Sequence, residues 1–347
     1  RKNVKKQLAL RVLSTAALMA MVSSIATAAF ADTYDLNKGS VDILAEDGKQ
    51  YITQWADKDK STYVTDDKGE IKNREDADIT LTTKDDTTGK TETTDETETT
   101  DETETTDKTK PTHNTVTIDA KDGNTANVTL QDVHIEVNTT DAKSGAIEIK
   151  GDGDTNLELN GDNTVLSGDS YHAAIEKADK NGTGTLTIKD DKNDDRSDKD
   201  KDENGNAVGR DTGKLLAGGN YAGAGIGGGA YHDEKDYADT SNITITGGDI
   251  TASGGYYGAG IGAGCYGDAS NIRIEGNAHV TAFSDGSAAI GSGYQSQGNS
   301  DITITDHATV EAASLNSCAI GSGHDSSDKV TITISGNASV NAQTRNS

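Results

Sequence analysis

From Ser241 onward, apolar and polar positions alternate in a block that recurs every 29 or 30 residues. "SNITITGGDITASGGYYGAGIGAG" is followed by "SNIRIEGNAHVTAFSDGSAAIGSG" and "SDITITDHATVEAASLNSCAIGSG", and a fourth copy opens at "KVTITISGNASVNA". Ile243, Ile272, Ile302 and Ile332 form one column of equivalent positions, and Ile245, Ile274, Ile304 and Ile334 a second. Ile250, Val280, Val310 and Val340 form a third, and Ile261, Ile290 and Ile320 a fourth. Each block predicts three short strands, of the types "ITIT", "DITA" and "AGIGAG", separated by Gly, Asn, Asp and Ser turns.

Alternation within "ITIT" puts Ile on one face and Thr on the other, so a single block cannot bury its own apolar face. Stacked blocks can, because equivalent residues on neighbouring strands lie ~4.8 Å apart. The pattern predicts an all-β fold, a parallel β-helix with three-strand rungs of ~30 residues. Ile, Val and Ala columns fill its narrow interior, and Thr, Asp and Asn face outward. A helical solenoid lacks support in this β-branched, Gly-rich composition, and a two-sheet sandwich does not explain a fixed period.

The register continues backward more faintly. Ile226, Ile175 and Ile147 extend the Ala-Ile-Gly column, and Ile188, Leu159 and Leu130 are read as extending the second position of "ITIT", so the array is expected over 114–347. Residues 32–81 are not clearly in register and read as an irregular β cap over the open end. Residues 82–113 hold a Thr/Glu/Asp tract read as a solvated insertion, a candidate for O-glycosylation, and 189–214 is a second acidic insertion. The last unit stops after its second strand and the chain begins with Arg1, so a longer protein is expected, with a cell-wall anchor or further module beyond Ser347.

Residues 1–31 have a basic start, an apolar middle and an Ala-Phe-Ala ending, the form of a secretory signal peptide; an uncleaved membrane anchor is the weaker reading. The whole chain carries a formal charge of −26. Without the leader, 27 basic residues face 58 acidic ones, a charge of −31. Such a chain repels nucleic acid and anionic membranes, and suits neutral glycans, cation-bridged anionic glycans and calcium. Cys265 and Cys318 lie two units apart, ~9.6 Å in a stacked array, beyond the ~7 Å Cα reach of a disulfide. Two free thiols are expected.

Two constellations are candidates for chemistry. In "DKDENGNAVGRD", Asp200, Asp202 and Asn204 take positions 1, 3 and 5 of a twelve-residue calcium loop, Gly205 the turn, and Asp211 position 12; Asn206 completes the candidate set. Ala207 at position 8, Asp in place of the final Glu, and the lack of flanking helices equally fit a chance match in an acidic loop. The second constellation is aromatic. Tyr231, Tyr266 and Tyr294 stand four or five residues after the central Ile of their units, His324 takes that place in the next, and Tyr221 and Tyr256 lie five before it. Tyrosines repeating at one turn of a solenoid suit the C–H faces and hydroxyls of a long glycan. The competing reading is that they cover the glycine turns.

Enzymatic signals are poor. No nucleophile elbow or phosphate loop appears, and "GAGIGGG" lacks a strand-then-helix context. Asp249, Asp268, Asp285, Asp301 and Asp325 could supply acids but read as solvated turn residues. Arg273, Glu275 and Glu311 interrupt the Thr array an ice-binding face would need.

The succession "NVTLQDVHIEV", "GAIEI", "LELNGDNTVLSG", "HAAIEK", "GTLTIKDD", then serial "GAGIGGG" and "NITITGGDITASGG", resembles exported carbohydrate-binding-domain proteins of anaerobic Gram-positive bacteria. The resemblance covers Asn114 to the end. It implies a right-handed, polysaccharide-lyase-like β-helix that binds plant-type or acidic polysaccharides, uses calcium, and has no firm catalysis. The expectation is a secreted or cell-surface binder of polysaccharide. A lyase or hydrolase on the same fold, and a stalk or adhesin for a protein partner, are the alternatives.

Overall fold

The computed structural model describes residues 32–84, 111–137, 144–178, 182–191, 213–230 and 238–345. They form a right-handed parallel β-helix whose strands sort into three long sheets of nine, seven and ten strands, with one short 3-10 turn at Leu36–Lys38. Each repeat gives one strand to each sheet. For the repeat containing Ile261 these are Asp249–Ser253, Ile261–Gly262 and Ala269–Ile274.

The columns anticipated from the repeat are those of the sheets. Ile243 pairs with Ile272, Ile272 with Ile302, and Ile302 with Ile332. Ile250, Val280, Val310 and Val340 are likewise in register, as are Ile226, Ile261, Ile290 and Ile320. Ile243, Ile245, Ile250 and Ile261 are fully buried, each worth roughly 1.5–3 kcal/mol relative to exposure. Ile332 and Ile334 keep the register but are 43% and 52% exposed, because they lie in the outermost described rung.

One column differs from expectation. Ile188 pairs with Leu157, and Leu159 pairs with Leu130 one step further along the strand. A slip of two residues leaves every side chain on its original face, so apolar alternation alone cannot detect it.

Glycine allows the rungs to close. Gly262 has φ +134, and a Cβ there would lie 2.0 Å from the Gly291 carbonyl oxygen; one on Gly264 would lie 1.4 Å from that of Gly229. Backbone occupies the space a side chain would need.

The sheets also run further back than the repeat. Thr33–Asp35 pairs with Ile79–Thr82, which pairs with Thr125–Gln131. Ser40–Glu46 pairs in parallel with Val116–Ala120, then antiparallel with Lys49–Trp55. The parallel coil thus gives way to a hairpin.

Candidate functional site

Short range geometry around Ile261 creates a double edge on the solenoid. The Ala259 N–H donates to the Ala263 carbonyl at 2.9 Å, drawing together the chain that enters and leaves the Ile-Gly strand. The turn before the strand and the turn after it therefore run side by side. Bonds between rungs tie them: Cys265 N–H to the Ala222 carbonyl at 2.9 Å, Tyr294 N–H to that of Tyr257 at 3.2 Å, and Tyr257 N–H to that of Tyr221 at 2.7 Å.

This pairing brings aromatic rings into one row. Tyr221 and Tyr257 meet edge to face at 5.2 Å between centroids, and Tyr256 and Tyr257 at 4.7 Å. Tyr257 and Tyr294 lie 4.7 Å apart, and Tyr294 stacks on His324 at 5.9 Å with planes 4° apart. Tyr221 and Tyr256 are 50% and 47% exposed, while Tyr257 and Tyr294 are half-buried over Ala222, Ala230 and Cys265. Small residues beneath give the large rings a floor.

Of the sequence candidates, Tyr221, Tyr256, Tyr294 and His324 converge. Tyr266 belongs to a different column. It adopts φ +70, as do Gln295 and Asp325 at φ +56 in the following rungs, and it makes no ring contact among the described residues although it is exposed. Tyr294 and His324 instead follow Cys265. Treating offsets of four and five as one position merged two columns that the turn separates. Tyr231 lies outside the described residues.

The hub of the row, Tyr257, was not anticipated. Its signal was the pair "YY" four and five residues before Ile261, legible only once the two turns are known to abut.

Polar groups surround the far end. The Tyr294 hydroxyl donates to Asp325 Oδ2 at 3.2 Å and accepts from Gln295 Nε2 at 3.2 Å, while His324 Nδ1 lies 3.2 Å from Asp325 Oδ1. Desolvation, then the bond to Asp325, raises the Tyr294 pKa; the bond to Tyr221 raises that of Tyr257. Both hydroxyls stay protonated at neutral pH.

The acids proposed as solvated turn residues divide. Asp268 is buried and accepts from the Ser296 hydroxyl and, at 2.9 Å, from the Gly298 N–H, so it ties one turn to the next. Its burial follows from serving these donors, and it corrects the solvated reading for that residue. Asp249 lies 3.2 Å from His279 Nδ1.

A separate titratable group sits nearer the start of the array. Glu148 and Glu176 are adjacent across a parallel strand pair and line a cavity of about 230 Å³ with Lys150 and Asp152. Glu176 is 2% exposed and accepts from the Ala173 N–H and from His172 Nδ1, both at 2.9 Å. Lys150 lies 2.9 Å from Glu148. Burial opposes protonation of His172, but the bond to Glu176 and the surrounding carboxylates outweigh it, so its pKa is raised.

The calcium-loop candidates Asp200, Asp202, Asn204, Asn206 and Asp211 lie outside the described residues. Among the described residues no group of three His, Cys, Asp or Glu is placed to hold a metal ion. Cys265 and Cys318 are both free; burial pushes the Cys265 thiol up to about 11, and Cys318 is exposed.

The family model described as "Beta helix repeat" matches residues 243–265 and 272–294. These are two successive stretches that each run from an "ITI" or "IRI" strand through the Ile-Gly strand to the aromatic turn. The match supports the parallel β-helix over the part of the chain that carries Tyr256, Tyr257 and Tyr294. No curated protein and no solved structure matches the chain.

Proposed function

We propose that the protein is a secreted or cell-surface carbohydrate-binding protein that holds polysaccharide against the aromatic edge, with calcium on the 200–211 loop as an assisting ion. The observation that carries the reading is the row Tyr221, Tyr257, Tyr294 and His324. Its rings come from successive rungs, touch one another, and stay accessible on a floor of small residues. Rings used only to cover glycine turns need no such continuity. Tyrosine offers a flat apolar face together with a hydroxyl, the combination a sugar ring requires.

The test is a pull-down on a panel of insoluble polysaccharides with wild type and the Tyr257→Ala/Tyr294→Ala double variant. Retention of wild type on at least one polymer, with loss in the variant, supports the reading; equal retention of both overturns it.

The Glu148, Glu176 and His172 group favours a second reading, a hydrolase or lyase on the same fold, since two carboxylates line one cavity and one of them bonds a histidine, groups that can share acid and base roles. The competing role is structural, because Glu176 already caps the Ala173 turn. Release of reducing ends by wild type and not by Glu148→Gln supports the enzyme.

A further inference from the structure

Resting on the glycan reading, we propose that the occupant of the aromatic edge is a neutral glycan lying parallel to the solenoid axis, spanning about four rungs and excluding polyuronates. The direction follows from which repeats supply the rings. Tyr221 belongs to the rung of Ile226, Tyr256 and Tyr257 to that of Ile261, Tyr294 to that of Ile290, and His324 to that of Ile320. The row therefore climbs the stack, and four rungs span about 14 Å at the strand spacing. A glycan wrapped around a single rung would meet one or two rings; a glycan along the axis meets all of them.

The charge of the edge selects the class. Among the described residues from Leu215 onward, the cations are Arg273, Lys329 and Arg345. Arg273 and Lys329 lie on the strands Ala269–Ile274 and Lys329–Ile334, outside the aromatic turns. Arg345 continues the column of Tyr256 and Asp285, but in the outermost rung, one rung beyond that of His324. On the turns that carry the rings, the charged groups among the described residues are carboxylates. Asp285 follows Tyr256 in the turn before the strand, where Gly286 N–H bonds the Tyr256 carbonyl at 2.9 Å, and Asp325 accepts from the Tyr294 hydroxyl. A uronate on these rungs would face these carboxylates with no basic partner among the described residues of the ring-bearing turns. A neutral sugar would find ring faces for its C–H groups, and the Tyr hydroxyls, the Gln295 amide and the His324 ring for its hydroxyls.

Binding that accumulates over rings requires length. Each added sugar should engage a further ring until the row is filled, so affinity should rise steeply up to about four units and then level.

The experiment is isothermal titration of the full chain, in chelator, with β-1,4-linked glucose, xylose and mannose oligomers of two to six units and with α-1,4-linked galacturonate oligomers of the same lengths. The expected result is that at least one neutral series gains affinity with length, roughly tenfold or more from dimer to tetramer, with the uronate tetramer at least tenfold weaker. Asp285→Asn should narrow that gap from the uronate side and leave neutral binding within about twofold; circular dichroism confirms the fold. Uronate oligomers binding as tightly as neutral ones, or affinity independent of length, would overturn this inference. If such binding is still lost in Tyr257→Ala/Tyr294→Ala, the glycan edge itself stands. No binding by any series, in chelator and again with calcium restored, overturns both.

Discussion

Tyr257 and Tyr294 come from neighbouring rungs and meet at 4.7 Å between ring centroids, and the N–H of Tyr294 donates to the carbonyl of Tyr257 at 3.2 Å. The backbone bond sets the ring spacing, so the contact is a product of the coil and not of side-chain preference alone. It places a ring from the turn after one Ile-Gly strand against a ring from the turn before the previous one.

Removing either ring should weaken glycan binding while leaving the fold. Tyr257→Ala and Tyr294→Ala are each expected to cost about 0.5–1.5 kcal/mol of binding, by analogy with aromatic pairs. Tyr266→Asn should change affinity by less than about twofold, because that ring lies outside the row and Asn tolerates the left-handed backbone at φ +70. Affinity electrophoresis in a polysaccharide gel separates the three; a loss in Tyr266→Asn equal to the other two would contradict the column assignment.

The pair of His172 and Glu176 predicts a pH-dependent stability. The folded pKa of His172 is raised above its ordinary 6.5, so the protonated ring is the bound form. Its stabilisation is fully present below pH ~6.5 and is lost as pH rises through the raised folded value. Thermal melts from pH 5.5 to 8.5 should show a decline that is smaller in His172→Gln. An identical pH profile in the two proteins would count against the pair.

Core and backbone substitutions test the stacking. Ile274 is fully buried between Ile245 and Ile304, and Ile274→Asp should cost several kcal/mol, roughly, by leaving a carboxylate without a partner. Gly264→Ala should destabilise by more than the ~1 kcal/mol typical of point substitutions, since its Cβ would meet the Gly229 carbonyl at 1.4 Å. Denaturant unfolding measures both, and a neutral Gly264→Ala would contradict the close rung contact.

The architecture was legible in the sequence because the same apolar positions recur each 29 or 30 residues, and in-register stacking is the one arrangement that buries all of them. Ile243, Ile250 and Ile261 could be placed from spacing alone. The register around Leu157 could not, because a two-residue slip preserves the inward face. Most of the aromatic row was legible from spacing too. Tyr221, Tyr256, Tyr294 and His324 were read from their distance to the central Ile, but which turns touch depends on the bond from Ala259 to Ala263, and that local closure hid Tyr257 and misplaced Tyr266. The role of Asp268 was hidden too, since its donors at Ser296 and Gly298 belong to the next rung.

Calcium remains a proposal carried by spacing. If Asp200, Asp202, Asn204, Asn206 and Asp211 bind it, saturating calcium at about a hundredfold over Kd should stabilise the chain by about 2.7 kcal/mol, and Asp200→Ala should remove most of that gain. Differential scanning calorimetry with calcium and with magnesium reads the effect. An equal gain in wild type and variant would assign it to charge screening.

The most direct test of the central claim is to watch the tyrosine rings while glycan is added. With ring-labelled tyrosine, a neutral oligosaccharide should shift the NMR signals of Tyr221, Tyr256, Tyr257 and Tyr294 together, with one binding constant. Tyr34, Tyr51 and Tyr63, in the strands and turns of residues 32–84, should stay in place. Shifts confined to those three, or binding that leaves all four edge rings unmoved, would contradict the account.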